Sequence, residues 1–489
     1  MSRRKSGRKN QSSTNKVPLK SRAAQRGQPS ASQATRRGGL PVNNAPEPID
    51  GFSLVNAHAA GIDVGASVHF VAVPEGRDPA ASVRSFGCFT ADLEGIAAWL
   101  KQCNITTVAM ESTGVYWIPL FELLESRGFE VLLVEPRQIK KFRRKTDVLD
   151  SQWIQTLHSF GLLSGSFRPT EKVVILRSYV RQRCTLVKQT SEHIQRMQKA
   201  LEQMNLKLPE VISDIVGVSG LAIIDAILRG ERDPQKLAKL RHESCANDEA
   251  TIALALQGNW REEHLFALKQ SVDLYRYLLE KISEVDRQIE ACLLTFEDQS
   301  CGDELPKPKR RSYKRKHDIV FDGRKLLHRM CGYDLTTIDG IGEQAALLII
   351  SEIGTDMSLW PTEKHFVSWL CLCPELNKSG GKSQKKRMSK TQSSTNRVAT
   401  VLRVGAQSLF NSKCSLGAFG RRIRARDGAP VAVTAMARKL AIIVYKMLRY
   451  GQPYVDRGAE HYDARYRERV IKNMQRKAAS MGYQMTPAA

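Results

Sequence analysis

Four acidic side chains stand where they could do chemistry together. Asp63 closes an apolar run in AHAAGIDVGASVHFVAV, and Glu111 closes a second in VAMES. Asp147 and Asp150 follow in KTDVLDSQWI. On a helix, a spacing of three sets both Asp carboxylates on one face. Taken singly, each acid is an ordinary turn residue, and Asp147 suits a helix N-cap. Gathered, four carboxylates repel one another until divalent cations neutralise them, so convergence predicts a metal site. Two Mg²⁺ ions about 3.5–4 Å apart would stabilise the attacking and leaving oxygens of a displacement at phosphorus.

Whether the acids converge depends on the elements that carry them. Strand-like runs fall at 59–64, 67–73, 84–89, 106–111 and 130–134, and helical periodicity at 91–103, 115–127 and 147–161. Three antiparallel-looking strands, then helix, strand, helix, strand, helix, fit a ribonuclease-H-like α/β sheet with 106–111 beside the first strand. There the first and fourth strands end side by side, and the following helix crosses them.

Residues 172–204 and 265–296 predict two long helices with heptad patterning. In the first, one seam is Val173, Val180, Val187, Ile194 and Leu201. The other, Leu176, Arg183, Thr190, Met197 and Met204, is partly polar. The second helix carries an apolar stripe broken by Asp286. Pairing within one chain and pairing between chains are both open on this pattern, and Arg183, Thr190 and Asp286 are candidates for setting register or partner.

A different signal lies further along. Gly340-Ile341-Gly342 opens an apolar helix, and a Gly-rich turn at a helix N-terminus can face a phosphate. A plain glycine turn explains it equally well. Between Leu376 and Arg426 there are thirteen Lys or Arg and no acid, more one-sided than a solvated face. Lys378, Lys382, Lys385, Lys386, Arg387, Lys390, Arg397 and Arg403 in this run are candidate nucleic-acid contacts. Ser379 precedes Gly380-Gly381, where a phosphate backbone could approach closely. A serine hydroxyl needs help to attack, and Lys378, Lys382 and Arg387 offer a positive field. By spacing alone Ser383, Ser389, Ser393 and Ser394 serve as well.

Composition narrows the partners. The chain has 489 residues, 42% hydrophobic and 26% charged, with a formal net charge of +25. That excess favours a polyanion, since each cation set on a phosphate releases a counterion. An acidic membrane surface is the competing partner. No apolar run of membrane-spanning length and no apolar signal core occur, so a cytoplasmic protein with no membrane association is expected. Ten cysteines without zinc spacing read as reduced thiols. Residues 1–50 carry eleven Lys or Arg before the first acid, Glu47, and read as a disordered basic arm.

The quoted stretches GIDVGAS, VAMESTGVYW and VEPRQIKKFRRKTDVLD, with the later IDGIG and LCPELNKSGGK, together resemble the DEDD transposases of the insertion-sequence-one-ten family, relatives of the Piv DNA invertases. The resemblance implies a RuvC-like catalytic domain at 51–168, a helical coiled-coil connector at 169–302 and a mostly helical C-terminal transposase domain at 330–455. The Lys/Arg-rich stretch within 303–329 reads from its composition as a basic linker that looks like an addition to the family pattern, and the polar, basic residues 456–489 read as a loosely ordered tail. On this likeness Asp63, Glu111, Asp147 and Asp150 are the metal tetrad, holding two Mg²⁺. Ser379 is then the nucleophile that forms a covalent phosphoserine with DNA. The implied partners are element-end and target DNA, a bridge RNA encoded by the element, and further copies of the chain in a dimer or tetramer. The family's usual Gly-Leu-x-Pro is here Cys371-Leu372-Cys373-Pro374.

Other functions fit less well. Asp63-Val64-Gly65-Ala66-Ser67 also has the form of a phosphate loop in actin-like ATPases and sugar kinases, but their second loop and adenosine segment are not evident. A DEDD exonuclease needs Glu where Gly65 stands. A Holliday-junction nuclease, a site-specific invertase and a non-catalytic nucleic-acid-binding protein remain the alternatives.

Overall fold

The computed structural model describes residues 53–139, 146–302, 304–305, 307, 316–374, 378–379, 382–383 and 396–486. The chain divides into two compact units, Met1–Ser166 and Phe167–Ala489.

The first unit is built on five strands: β1 (Ala59–Val64), β2 (Val68–Ala72), β3 (Val83–Gly87), β4 (Thr107–Glu111) and β5 (Glu130–Val134). Their order is β3-β2-β1-β4-β5; β1 is antiparallel to β2 and parallel to β4, and β4 is parallel to β5. This is the expected mixed sheet, with the strand carrying Glu111 beside the strand carrying Asp63. Alternation explains the two layers. Ala60, Ile62, Val64, Val108 and Met110 face one core with α1 (Thr90–Gln102) and α2 (Trp117–Ser126). Ala109 and Val134 face the other way, against Ile139 of α3 (Pro136–Ile139) and Ile154 of α4 (Asp147–Ser159).

The second unit is helical. α5 (Glu171–Gln203) and α10 (Glu262–Leu294), of 33 residues each, lie against each other as an antiparallel pair. Val173, Leu176 and Val180 share a core with Ile289 and Leu293 at one end, and Met197 and Leu201 share another with Leu265 and Leu268 at the far end. The pairing is therefore within the chain. The seam that reads as partly polar is the more deeply buried: Arg183 and Thr190 are buried, whereas Val187 and Ile194 are half-buried. Burial is tolerated because the interruptions answer each other. Arg183 donates from Nε to Asp286 Oδ1 at 2.5 Å and from Nη2 to the His317 carbonyl at 3.0 Å.

Between the long helices, α6 (Leu208–Val211), α7 (Val218–Leu228), α8 (Pro234–Ala238) and α9 (Glu249–Ala255) cap the far end. After them come α11 (Gly323–Cys331), α12 (Glu343–Ile353), α13 (Glu363–Trp369), the short strands β6 (Lys378–Ser379) and β7 (Lys382–Ser383), α14 (Arg397–Ser408), α15 (Ser415–Asp427), α16 (Ala429–Tyr450) and α17 (Gly458–Ser480). α11 to α14 and α16 share the core that also takes the near end of the hairpin.

Two expectations are corrected here. Ile319 and Phe321, inside the expected linker, are buried in that core, and α11 begins at Gly323. Their apolar side chains interrupt the basic run and fold back. The tail is not loose either, because Gly458–Ser480 is a 23-residue helix with no buried residue. Its Ala, Arg, Lys, Glu and Gln are strong helix formers, which an argument from the absence of a core overlooks. The ten cysteines are all free thiols, and no helix among the described residues is long and apolar enough to cross a membrane.

Candidate nuclease edge and serine hairpin

The parallel register of β1 and β4 runs Ala59 to Thr107, Ala60 to Val108, Gly61 to Ala109 and Ile62 to Met110. One step further, Asp63 and Glu111 come level at the carboxyl ends of adjacent central strands. Both belong to the set that alternates away from the α1–α2 core, so both lie on the face that α4 covers.

Two anchors fix the direction of α4. At its far end, His158 Nε2 and Thr107 Oγ1, at the start of β4, are 2.9 Å apart, and the Asn56 side chain donates to the His158 carbonyl at 2.8 Å. In the middle, α4 lies directly on Gly61, where a Cβ would sit 2.2 Å from the Gln155 nitrogen and 2.5 Å from the Ser151 carbonyl oxygen. The helix thus runs opposite to β1, and its first turn is carried toward the end where Asp63 and Glu111 stand. That turn holds Asp147 and Asp150. Thr146 caps it, its hydroxyl accepting from the Leu149 nitrogen at 3.3 Å. Negative charge there is favoured by the helix dipole. Burial pushes the His158 imidazole below its ordinary pKa, so the anchor is a neutral ring.

All four acids therefore occupy one edge of one sheet. Glu111 Oε1 accepts from Thr113 Oγ1 at 2.7 Å. Asp147 is exposed, while Asp63, Glu111 and Asp150 are half-buried. Among the described residues no three His, Cys, Asp or Glu are close enough to hold one ion. The acids share the edge without forming a closed shell. As donors they are hard carboxylate oxygens, the kind that suits Mg²⁺ rather than zinc.

In the second unit, Ser379 lies in a minimal hairpin. Lys378 pairs with Ser383 and Ser379 with Lys382, leaving Gly380-Gly381 as the two residues between the strands. Lys385, Lys386, Arg387 and Lys390 fall outside the described residues. Arg397 opens α14 with its Nε 3.8 Å from Glu352 Oε1, and Arg403 is half-buried on the same helix.

The approach to the hairpin explains one departure from the family pattern. Cys371 has φ +53°, in the left-handed region that glycine enters freely. The family's glycine would meet that requirement; a cysteine here carries strain.

Gly340 serves packing. With φ +87° it lies against α14, where a Cβ would sit 2.9 Å from the Gly405 carbonyl oxygen. Gly405 is as constrained from its side, 2.5 Å from the Gly340 oxygen. Gly342 caps α12 and has open space where a Cβ would go, so of the pair it is the one with room for a ligand.

One cluster was not anticipated from the residues. Glu352, nearly buried, accepts from Arg181 Nε and Nη2 at 2.8 Å each, with Arg177 Nε at 3.4 Å and Arg397 beyond. Burial takes Arg177 down to about 10, although Glu352 opposes it. One carboxylate thereby ties α5 to α12 and α14. The visible signal was a single acid inside the apolar run ALLIISEIG.

Sequence comparison agrees with this anatomy. Residues 60–206 match the DEDD transposase model, described as a transposase, and residues 333–415 match the model of the transposase IS116/IS110/IS902 family. No curated protein matches the chain. The matches cover the mixed sheet of the first unit and part of the helical second unit, and they support a DNA transposase. Both matched segments are similar to transposases of the IS110 family.

Proposed function

We propose that the protein is a Mg²⁺-dependent recombinase of a mobile element that cuts and rejoins DNA through a covalent phosphoserine. The observation carrying this reading is the acid edge: Asp63 and Glu111 level on adjacent strands, with the α4 turn bearing Asp147 and Asp150 directed to the same end. These four residues would hold the metal. Bound there, Mg²⁺ would supply charge neutralisation at the phosphate under attack.

Ser379 acts as the nucleophile. Its oxygen forms an ester bond to phosphorus as the bond to the departing sugar oxygen breaks, and the serine proton leaves to a nearby base. Attack by a sugar hydroxyl of another strand reverses the exchange and frees the serine, so no phosphodiester is lost. The lysines and arginines from Lys378 to Arg403 hold the backbone, with Gly342 presenting the α12 N-terminus. Following the family, a bridge RNA pairs with donor and target, and the working form is a homo-oligomer.

The test incubates the full chain with element-end DNA, flanking RNA and Mg²⁺, and maps any trapped adduct by mass spectrometry. The expected adduct is on Ser379. Asp63→Asn, Glu111→Gln, Asp147→Asn and Asp150→Asn should each lower adduct formation about a thousandfold or more while DNA affinity stays within about threefold. Normal cutting by these variants would falsify the metal assignment. Normal cutting by Ser379→Ala would instead identify a hydrolytic junction nuclease.

A further inference from the structure

α15, α16 and α17 meet around Arg422, beyond the matched segment at 333–415. Arg422 Nε donates to the Tyr462 hydroxyl at 2.9 Å. Its guanidinium carbon lies 4.2 Å from the ring centre of Tyr466, 5.8 Å from that of Tyr462 and 5.7 Å from that of Phe419. Three rings and one hydroxyl hold the group in place without neutralising it. Lys439 Nζ sits over Phe419 at 4.7 Å. Burial chiefly, and then Arg469, Arg422 and Arg438, push the Lys439 pKa down. The Nε of Arg438 is buried with no hydrogen-bond partner.

Counter-charge is missing. Among the described residues no carboxylate forms an ion pair with Arg422, Arg438, Lys439 or Arg469. Asp427 feels Arg422, but its carboxylate is held by Arg426 at 2.6 Å. Four cations brought together with no carboxylate paired to them repel one another, and an external polyanion relieves that repulsion. Beside them is a cavity of about 310 Å³ lined by Leu416, Ile443, Tyr462, Tyr466, Arg465 and Arg469 and by one acid, Asp456, whose carboxylate accepts from the Ser415 nitrogen at 3.0 Å. Apolar and aromatic side chains beside arginines suit a flat ring attached to phosphates.

We propose that α15, α16 and α17 form a second nucleic-acid site, for a single strand, with phosphates on Arg422, Lys439 and Arg469 and one unstacked base in the cavity. A duplex keeps its bases stacked and cannot fill the cavity. The site rests on the reading of the protein as a nucleic-acid recombinase, and uses none of the residues assigned to cutting.

The test measures binding of the full chain to labelled single-stranded DNA, single-stranded RNA and duplex DNA across a salt series. Lys439→Gln combined with Arg469→Gln should lower single-strand affinity about tenfold. The log–log salt slope should fall by about 1.4, roughly 0.7 per lost phosphate contact. Duplex affinity should change less than threefold. Tyr466→Leu should weaken single-strand binding with the slope unchanged. The larger loss on the DNA or the RNA arm tells which strand the site takes. Unchanged single-strand affinity and slope in a double variant with native thermal unfolding overturns the site, as does an equal loss on duplex. Asp150→Asn separates the two readings: it should keep this binding and lose cutting. If it cuts normally, the metal assignment fails and the strand site stands.

Discussion

Gly61 has no side chain because α4 occupies the space where one would go. The contact is backbone to backbone, so nothing flexible can yield. Gly61→Ala should cost the first unit about 2–3 kcal/mol, read as an earlier urea transition, and should reduce cutting as the Asp147 turn shifts. A stability equal to the parent chain would remove α4 from this role. Cys371 is the opposite case, a side chain where none is wanted. Cys371→Gly relieves a left-handed φ and should stabilise by about 1 kcal/mol, seen as a raised Tm. A fall in Tm would mean that the cysteine contributes packing that outweighs the strain.

Among the elements, the α5–α10 hairpin makes the clearest energetic claim. Arg183 and Asp286 are a buried pair, so removing one partner strands the other. Arg183→Met should cost about 3–5 kcal/mol, and adding Asp286→Leu should recover most of it. Equal losses in the single and double variants would show that the pair does not act as a unit. The strands and helices of the first unit were legible because each side chain alternates between two dry layers, which imprints a period of two or 3.6 on the sequence. The positions of Asp63 and Glu111 at strand ends were legible for a related reason: each terminates an apolar run, and that is where a sheet edge must be. Which heptad seam is buried was not legible, since Arg183 looks unsuited to a core until Asp286, 103 residues away, is placed beside it. The Arg422 cluster was hidden likewise. Its rings come from α15 and α17, its neighbouring lysine from α16, and no short window holds them together.

At the scale of the whole molecule, the net charge of +25 predicts how the protein meets its substrate. Affinity for DNA should fall about a thousandfold or more between roughly 50 and 200 mM salt, if about six or more phosphates are contacted. A flat log–log plot would exclude that number of contacts. Within the second unit the charge is unevenly compensated. Glu352 gathers three arginines, whereas among the described residues no carboxylate is ion-paired to Arg422, Arg438, Lys439 or Arg469, so ionic strength should act more strongly on the latter. The two long helices also have a mechanical consequence. At about 1.5 Å per residue they form a strut of about 50 Å between the α6–α9 cap and the α11–α16 core. The buried Arg183–Asp286 pair, in the half of the strut nearer the α11–α16 core, stops one rod from sliding along the other. The reach of the cap is therefore a fixed length counted in residues, and trimming seven from each rod would draw it in by about 10 Å.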